Sequence, residues 1–236
     1  SEATRMLADP NYFAAMMVSM GDADGMVTGT GQNYADAVRP ILRTIGIHRS
    51  GVPAGLNLVL TDSGIFFLSD TSVNFNPSAE ECANIAVQTA RVAEYFGLEP
   101  RVAMLSFSNF SGDSGTPKKM KEAADILRRT HPHLMVDGDM QADTAVSPDI
   151  LQSLFPFSTL KGGANILIFP NLESANISYK LLQQLGKVEV IGPFLMGIRK
   201  SATVLQRTTT VEGIFNSCVL AALEAQYIKK IVMEKE

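Results

Sequence analysis

Residues 101–112 read Arg-Val-Ala-Met-Leu-Ser-Phe-Ser-Asn-Phe-Ser-Gly. The apolar run 102–105 does not alternate, so a strand there is buried on both faces, the mark of a parallel sheet covered by helices. It breaks into a Ser/Gly loop, and a helical pattern follows from about Pro117 to Arg129. The alternation continues downstream with strand 134–137, a short helix after Pro148, strand 165–169 (Asn-Ile-Leu-Ile-Phe), helix 174–185 and strand 188–191. Upstream, 56–60 (Leu-Asn-Leu-Val-Leu) and 65–69 (Ile-Phe-Phe-Leu-Ser) flank Asp62-Ser63-Gly64, which predicts a β-hairpin. Asn76-Pro77 opens a long helix that places Cys82, Ile85, Ala86, Val92, Ala93 and Phe96 on its buried face and ends at Gly97. The expected fold is α/β, with a mainly parallel sheet, a β-hairpin and a complete central domain over 52–193.

The flanking segments hold fewer strands. Asp9-Pro10 caps a helix whose apolar face is Tyr12, Phe13, Met16, Met17 and Met20, ending at Gly21. A short strand around 26–27 precedes Gly29-Thr30-Gly31, and Asn33 opens a helix through Ala37, Val38, Ile41, Leu42 and Ile45, which Pro40 should kink or delay. The last helix, about 211–230, carries Ile214, Phe215, Val219, Leu220, Leu223 and Tyr227 on one side. Segments 1–51 and 194–236 are therefore expected to form a partial second domain whose N-terminal portion is missing from this chain.

Composition narrows the function classes. The 236 residues are 46% hydrophobic, ample for a globular core. Lys+Arg total 20 against Asp+Glu 24, a net charge of -4, so no global basic field favours nucleic acid or an anionic membrane. No apolar run approaches the roughly 20 residues of a membrane span, and no signal-peptide pattern opens the chain. The two cysteines, Cys82 and Cys218, lie in apolar helical patterns, which predicts buried thiols in a reducing, cytoplasmic setting.

Among candidate motifs, Gly112-Asp113-Ser114-Gly115 has the look of a protease nucleophile string, but an α/β chain whose histidines are His48, His131 and His133 offers no matching base held by an Asp. His131 and His133 flank Pro132 at a helix end, where a cap is the expected role. Gly29-Thr30-Gly31 begins a dinucleotide fingerprint that Tyr34 fails to complete. Asp22 with Asp24, and Asp137 with Asp139, lack His or Cys partners at ligand spacing, so no metal site is expected. The loop from Ser106 through Ser108 to Gly112 follows the C-terminal end of a parallel strand and precedes a helix, which is how open α/β sheets hold anions; on spacing alone a polar connection with local hydrogen bonds reads equally well. Arg39, beside Pro40, and Arg207, in a Thr-rich turn, are each able to face a phosphate, although on the residues alone both read first as solvated surface arginines.

Several strings together resemble the phosphate acetyltransferases: Ala23-Asp24-Gly25 with Ala35-Asp36 and Arg39-Pro40; Asn76-Pro77-Ser78-Ala79-Glu80; 99–106 (Glu-Pro-Arg-Val-Ala-Met-Leu-Ser); Val136-Asp137-Gly138-Asp139-Met140-Gln141; Ala164-Asn165 with Phe169-Pro170; Asn176 with Tyr179-Lys180; and Gly192-Pro193. Within that family, 106–110, Asp139-Met140-Gln141-Ala142-Asp143, Phe155-Pro156-Phe157-Ser158 and Phe169-Pro170-Asn171-Leu172 look like the C-terminal domain of bacterial NADP-dependent malic enzymes. The resemblance implies two α/β/α domains of isocitrate/isopropylmalate dehydrogenase-like architecture with an interdomain cleft for coenzyme A and phosphate, usually in a dimer. It also implies acetyl-CoA or phosphate contacts at Arg39, Ser106, Ser108, Asn165 and Arg207.

Near the C-terminus the sequence departs from the active pattern. Where that pattern has Leu-Ser-Arg-Gly and then Asp, this chain has Leu205-Gln206-Arg207-Thr208 with Glu212-Gly213. The Ser and Asp positions are thus Gln206 and Gly213, and Glu212 is about 100° away on a helix. The resemblance therefore implies a regulatory region that binds acetyl-CoA as an effector with acetyl transfer lost or weak. It would be joined in one polypeptide to a malic-enzyme catalytic domain that holds NADP and a divalent metal, as a dimer or higher oligomer. The alternatives are an active phosphate acetyltransferase, and a purely oligomerising domain with a vestigial cleft.

Overall fold

The computed structural model describes residues 2–49 and 51–233. The chain divides into two compact units, one formed by the segments up to Pro53 and from Ile191 onward, the other by Ala54–Val190.

The first unit opens with α1 (Glu2–Met6) and α2 (Pro10–Met20). Asp9 caps α2 by accepting from the amides of Asn11 and Tyr12, and Gly21 at φ 90° ends it. The buried face of α2 is Asn11, Ala15 and Val18 rather than the expected Phe13 and Met20, which are 56% and 72% exposed. Small residues let the helix lie close on its neighbours; the large ones, at the complementary angles, face out. Strand β1 (Gly25–Thr28) leads to α3 (Tyr34–Thr44), which runs on through Pro40 with Ala37, Val38, Pro40 and Ile41 buried.

The second unit begins with the hairpin of β2 (Ala54–Thr61) and β3 (Gly64–Ser69), whose last pair is Thr61 with Gly64. Helix α4 (Ala79–Tyr95) starts two residues beyond Pro77 because Ser78 and Glu81 form a capping box, each side chain meeting the other's backbone amide. It is followed by β4 (Arg101–Leu105), α5 (Gly115–Thr130), β5 (Met135–Met140), α6 (Ala142–Val146), α7 (Pro148–Leu154), β6 (Ile166–Ile168) and α8 (Leu172–Leu185). The strand order is β2-β3-β6-β4-β5; only the hairpin is antiparallel, and the β3–β6, β6–β4 and β4–β5 pairs are parallel. The core on one face gathers Val59, Leu68, Leu105, Met140, Leu167 and Tyr179.

Strand β7 (Glu189–Met196) carries the chain back to the first unit, which closes with β8 (Ser201–Val204) and α9 (Val211–Met233). There β8 pairs parallel with β1 and antiparallel with β7. Helix α9 buries Ser217, Ala221 and Ala225, while Phe215 is 66% and Val219 41% exposed, the same inversion as in α2. Cys218 follows that exposed side and is exposed, against the expectation of a buried thiol; Cys82 is buried as expected, and both are free. No helix among the described residues is long and apolar enough to cross a membrane.

Candidate functional site

The strands of the second unit that run parallel send the loops after β3, β4, β5 and β6 to one edge, where open α/β sheets take ligands. The loop after β4 is the most tightly built. Ser106 Oγ lies 3.3 Å and Ser108 Oγ 2.6 Å from Asp139 Oδ2, and Ser108 N donates to Ser106 Oγ at 2.9 Å. Asp139 is fully buried and its Oδ1 has no hydrogen-bond partner. Its carbonyl accepts from Phe110 N at 2.8 Å, and Phe110 takes φ 54° to reach it. Asn109 and Gln141 then exchange bonds of 2.8 Å each way, and Gln141 Nε2 donates to Phe107 O at 2.8 Å. Gly112 has to be glycine here: a Cβ would stand 1.9 Å from Pro117 Cβ.

Ser106 and Ser108, expected to contact a ligand, have their hydroxyls within hydrogen-bond reach of Asp139 Oδ2, Ser106 Oγ also of Ser108 O at 3.0 Å and Ser108 Oγ of Ser111 Oγ at 3.3 Å. The buried Asp139 carboxylate organises the loop. Asn165 does not join this group. Strands β4 and β6 are parallel with Val102 opposite Ile166, which puts Asn165 at the start of its strand and Ser106 past the end of the other. Its amide is spent on backbone, accepting from Arg101 N at 2.8 Å and donating to Glu99 O at 2.9 Å.

Two further residues fix the edge. Lys119 Nζ, on α5, donates to Asn76 Oδ1, Pro77 O and Pro170 O at 2.8, 2.9 and 2.7 Å, bolting together the loops after β3 and β6. Asp137, one turn of strand from Asp139, accepts from Arg128, Gly138 N, Ser158 Oγ and Thr159 N, so its carboxylate is saturated by structure.

In the first unit, β1 and β8 are in parallel register from Gly25–Ser201 to Thr28–Val204, so the loops that follow them start side by side. Leu205 N donates to Thr28 O at 2.6 Å. Gly29 at φ 132° passes so close that a Cβ would lie 2.3 Å from Leu205 O. The Asn33 side chain, at the cap position of α3, makes no capping bond; its Oδ1 accepts from Arg207 Nη2 at 3.2 Å. One turn on, Asp36 Oδ1 is 3.6 Å from Arg39 Nη1, both side chains more than half exposed. Arg207 is thus tied to the start of α3, while Arg39 lies further along that helix paired with Asp36; no contact joins the two arginines among the described residues. Gln206 N donates to Thr209 Oγ1 and Gly213 N to Thr210 Oγ1, each at 3.0 Å, which fixes the turn into α9. A Cβ at Gly213 would lie 3.0 Å from Thr209 Cγ2, and Glu212 beside it is exposed.

Burial pushes the Cys82 thiol up to about 11, which keeps it protonated and inert. Partial burial, then the charges of His133 and Arg91, lower the pKa of His131. Burial raises the Glu224 carboxyl to about 7, opposed by the hydrogen bond from Ser201 Oγ at 2.6 Å. Among the described residues no group of three or more His, Cys, Asp and Glu could hold a metal ion.

Comparison with known proteins places this geometry. The family model described as "Phosphate acetyl/butaryl transferase" matches residues 1–222. The chain is 41% identical over 225 residues to the NADP-dependent malic enzyme of Escherichia coli (strain K12), covering 94% of this chain and 30% of that protein. It is 39% identical over 228 residues to the phosphate acetyltransferase of Corynebacterium glutamicum, covering 95% of this chain and 69% of that protein. A phosphotransacetylase from Streptococcus pyogenes superposes with a TM-score of 0.90 at 39% identity, over 96% of this chain and 70% of its own.

Proposed function

This chain belongs to the phosphate acetyl/butaryl transferase family, and from that premise we propose that it is the acetyl-CoA-binding regulatory region of an NADP-dependent malic enzyme, without acetyl transfer of its own. The observation that carries the reading is the first turn of α9. The position matched to the family's general base is Gly213, which has no side chain, and that matched to its serine is Gln206. Glu212 is exposed on the neighbouring face, and general-base catalysis needs the base within about 3 Å of the proton it takes. Arg207 and Arg39 remain, so the charge that binds a phosphate-bearing ligand is kept while the proton acceptor is not.

In this reading the parent protein oxidises and decarboxylates malate to pyruvate, with NADP and a divalent metal held by its catalytic domain. Acetyl-CoA lies downstream of pyruvate, so inhibition by feedback is the sign that fits. Regulation requires acetyl-CoA to favour one state of the whole protein by about 1–3 kcal/mol. The chain's share of the malic-enzyme relative, 30% of its length, leaves room for such a domain, and assembly into a dimer or higher oligomer belongs to the same proposal.

A second reading, an active phosphate acetyltransferase forming acetyl phosphate and coenzyme A, is favoured by the retained Arg207 and by the 39% identity to an enzyme of that name. Calorimetric titration with acetyl-CoA, followed by a turnover assay with phosphate on the same sample, separates the two. Saturable binding with no turnover supports the sensor; turnover above buffer supports the enzyme; no binding overturns the proposal.

A further inference from the structure

Phe107 stands two residues beyond β4 with 75% of its surface in solvent, although the loop around it is pinned on both sides. Ser106 N donates to Met140 O, Ser108 N to Ser106 Oγ, and the Phe107 carbonyl itself accepts from Gln141 Nε2. Three residues on, Phe110 turns the opposite way. Its ring lies 5.2 Å from that of Phe155 and 5.0 Å from that of Phe157, a closed aromatic cluster. One loop therefore stores one phenylalanine and displays another, and the displayed ring touches no other aromatic ring among the described residues.

An exposed phenylalanine forgoes the largest burial gain available to its loop. The polar bonds around it fix where it projects, at the edge where the parallel strands end. From Ser106 to Gly112 the loop has no charged side chain, and its Ser106, Ser108 and Phe110 amides are spent within the fold, so what it offers a ligand is the flat face of a ring. Exposed aromatic rings are where proteins stack nucleobases without reading their sequence.

We infer that Phe107 is the stacking platform for the nucleobase of the acyl-CoA ligand, recognising its nucleotide end rather than its acyl end. The inference rests on the acetyl-CoA reading above. It assigns the loop's ligand contact to Phe107 instead of to the serine hydroxyls, which Asp139 engages.

The test compares the wild-type chain with Phe107→Ala, Phe107→Trp and, as control, Phe13→Ala, since Phe13 is 56% exposed on α2. Each is titrated with acetyl-CoA, with S-acetylpantetheine, which lacks the nucleotide, and with adenosine 3′,5′-bisphosphate, which lacks the acyl arm. Phe107→Ala is expected to weaken acetyl-CoA and adenosine bisphosphate about five- to hundredfold and to leave S-acetylpantetheine unchanged. Phe107→Trp restores the loss, and Phe13→Ala keeps wild-type affinities. Wild-type affinity for acetyl-CoA in Phe107→Ala, or equal weakening of all three ligands, overturns the inference alone. A wild-type chain that binds no acetyl-CoA overturns the reading beneath it as well.

Discussion

Glu224 keeps its proton inside the folded first unit as the pH rises toward neutrality, and the protein should lose stability over that interval. The residue shows part of its surface to solvent, but its carboxylate is turned inward to Ser201 Oγ at 2.6 Å, and Ser201 is fully buried. Lys229, further along α9, is engaged with Asp24 at 2.6 Å. Burial holds the carboxyl near 7, against 4.5 as its ordinary value. Below about pH 4.5 the group is neutral in both folded and unfolded chains and the contribution is intact. Between 4.5 and 7 the unfolded chain releases its proton while the native one keeps it, so stability falls with pH; above 7 both are ionised and the loss is complete. At about 1.4 kcal/mol per unit the shift amounts to ~3 kcal/mol, a ceiling because part of the residue is solvated. Glu224→Gln keeps an acceptor for Ser201 and removes the charge. Urea unfolding at pH 5, 6, 7 and 8 should give a wild-type midpoint that falls with pH relative to the variant, with the variant the more stable at pH 8. Parallel pH profiles for the two proteins would refute the reasoning.

Four other outcomes follow from the same coordinates. Asp137→Ala removes the buried acceptor of Gly138 N, Ser158 Oγ and Thr159 N, while Arg128 keeps Asp125, which should lower stability by about 1–3 kcal/mol in urea titration. Gly138→Ala places a Cβ 2.6 Å from Met104 O at φ 139°, so thermal unfolding should drop sharply, by the ~2 kcal/mol or more typical of a forced backbone position. Lys119→Met breaks three bonds to the loops after β3 and β6, and hydrogen exchange in 70–78 and 169–171 should speed up while the helices keep their protection. Gln206→Ser with Gly213→Asp, which requires the Thr209 methyl to give by a few tenths of an ångström, should raise acetyl phosphate formation at least about tenfold over the parent chain if only the lost groups silence it.

The sequence made some levels of this structure readable and concealed others for identifiable reasons. The hairpin was legible because Asp62-Ser63-Gly64 sits between two apolar runs, and the observed pairing closes at Thr61 and Gly64. The parallel strands were legible from unbroken apolar runs. Strand β8 was not: Ser201-Ala-Thr-Val is four residues with no turn signal, and its place comes only from pairing with β1. The helix faces of α2 and α9 were inverted, since periodicity marks where large apolar residues fall, whereas close packing selected Ala15, Ala221 and Ala225. At the candidate site the loop after β4 was found from strand, serines and glycine. The direction of its hydroxyls was not, because Asp139 arrives from a strand more than thirty residues away, through a register that shifts between Met104 and Leu105.

The proposed separation of binding from chemistry would have a physical basis in α9. An acidic residue in the first turn of a helix is worth about 0.3–1 kcal/mol against the helix dipole, so losing a carboxylate there would normally weaken the helix. In α9 the first-turn acid is Glu212, and Thr210 Oγ1 accepts from Gly213 N, so the turn stays capped and charged without an acid at 213. Arg207 is held by Asn33 on α3 and does not depend on residue 213. Removing the proton acceptor thus leaves the helix start, the turn and the arginine in place. On the proposed reading, a family member can stop transferring acetyl groups through changes at positions 206 and 213 and still present a phosphate-binding edge, which is the condition under which a catalytic domain can persist as a sensor.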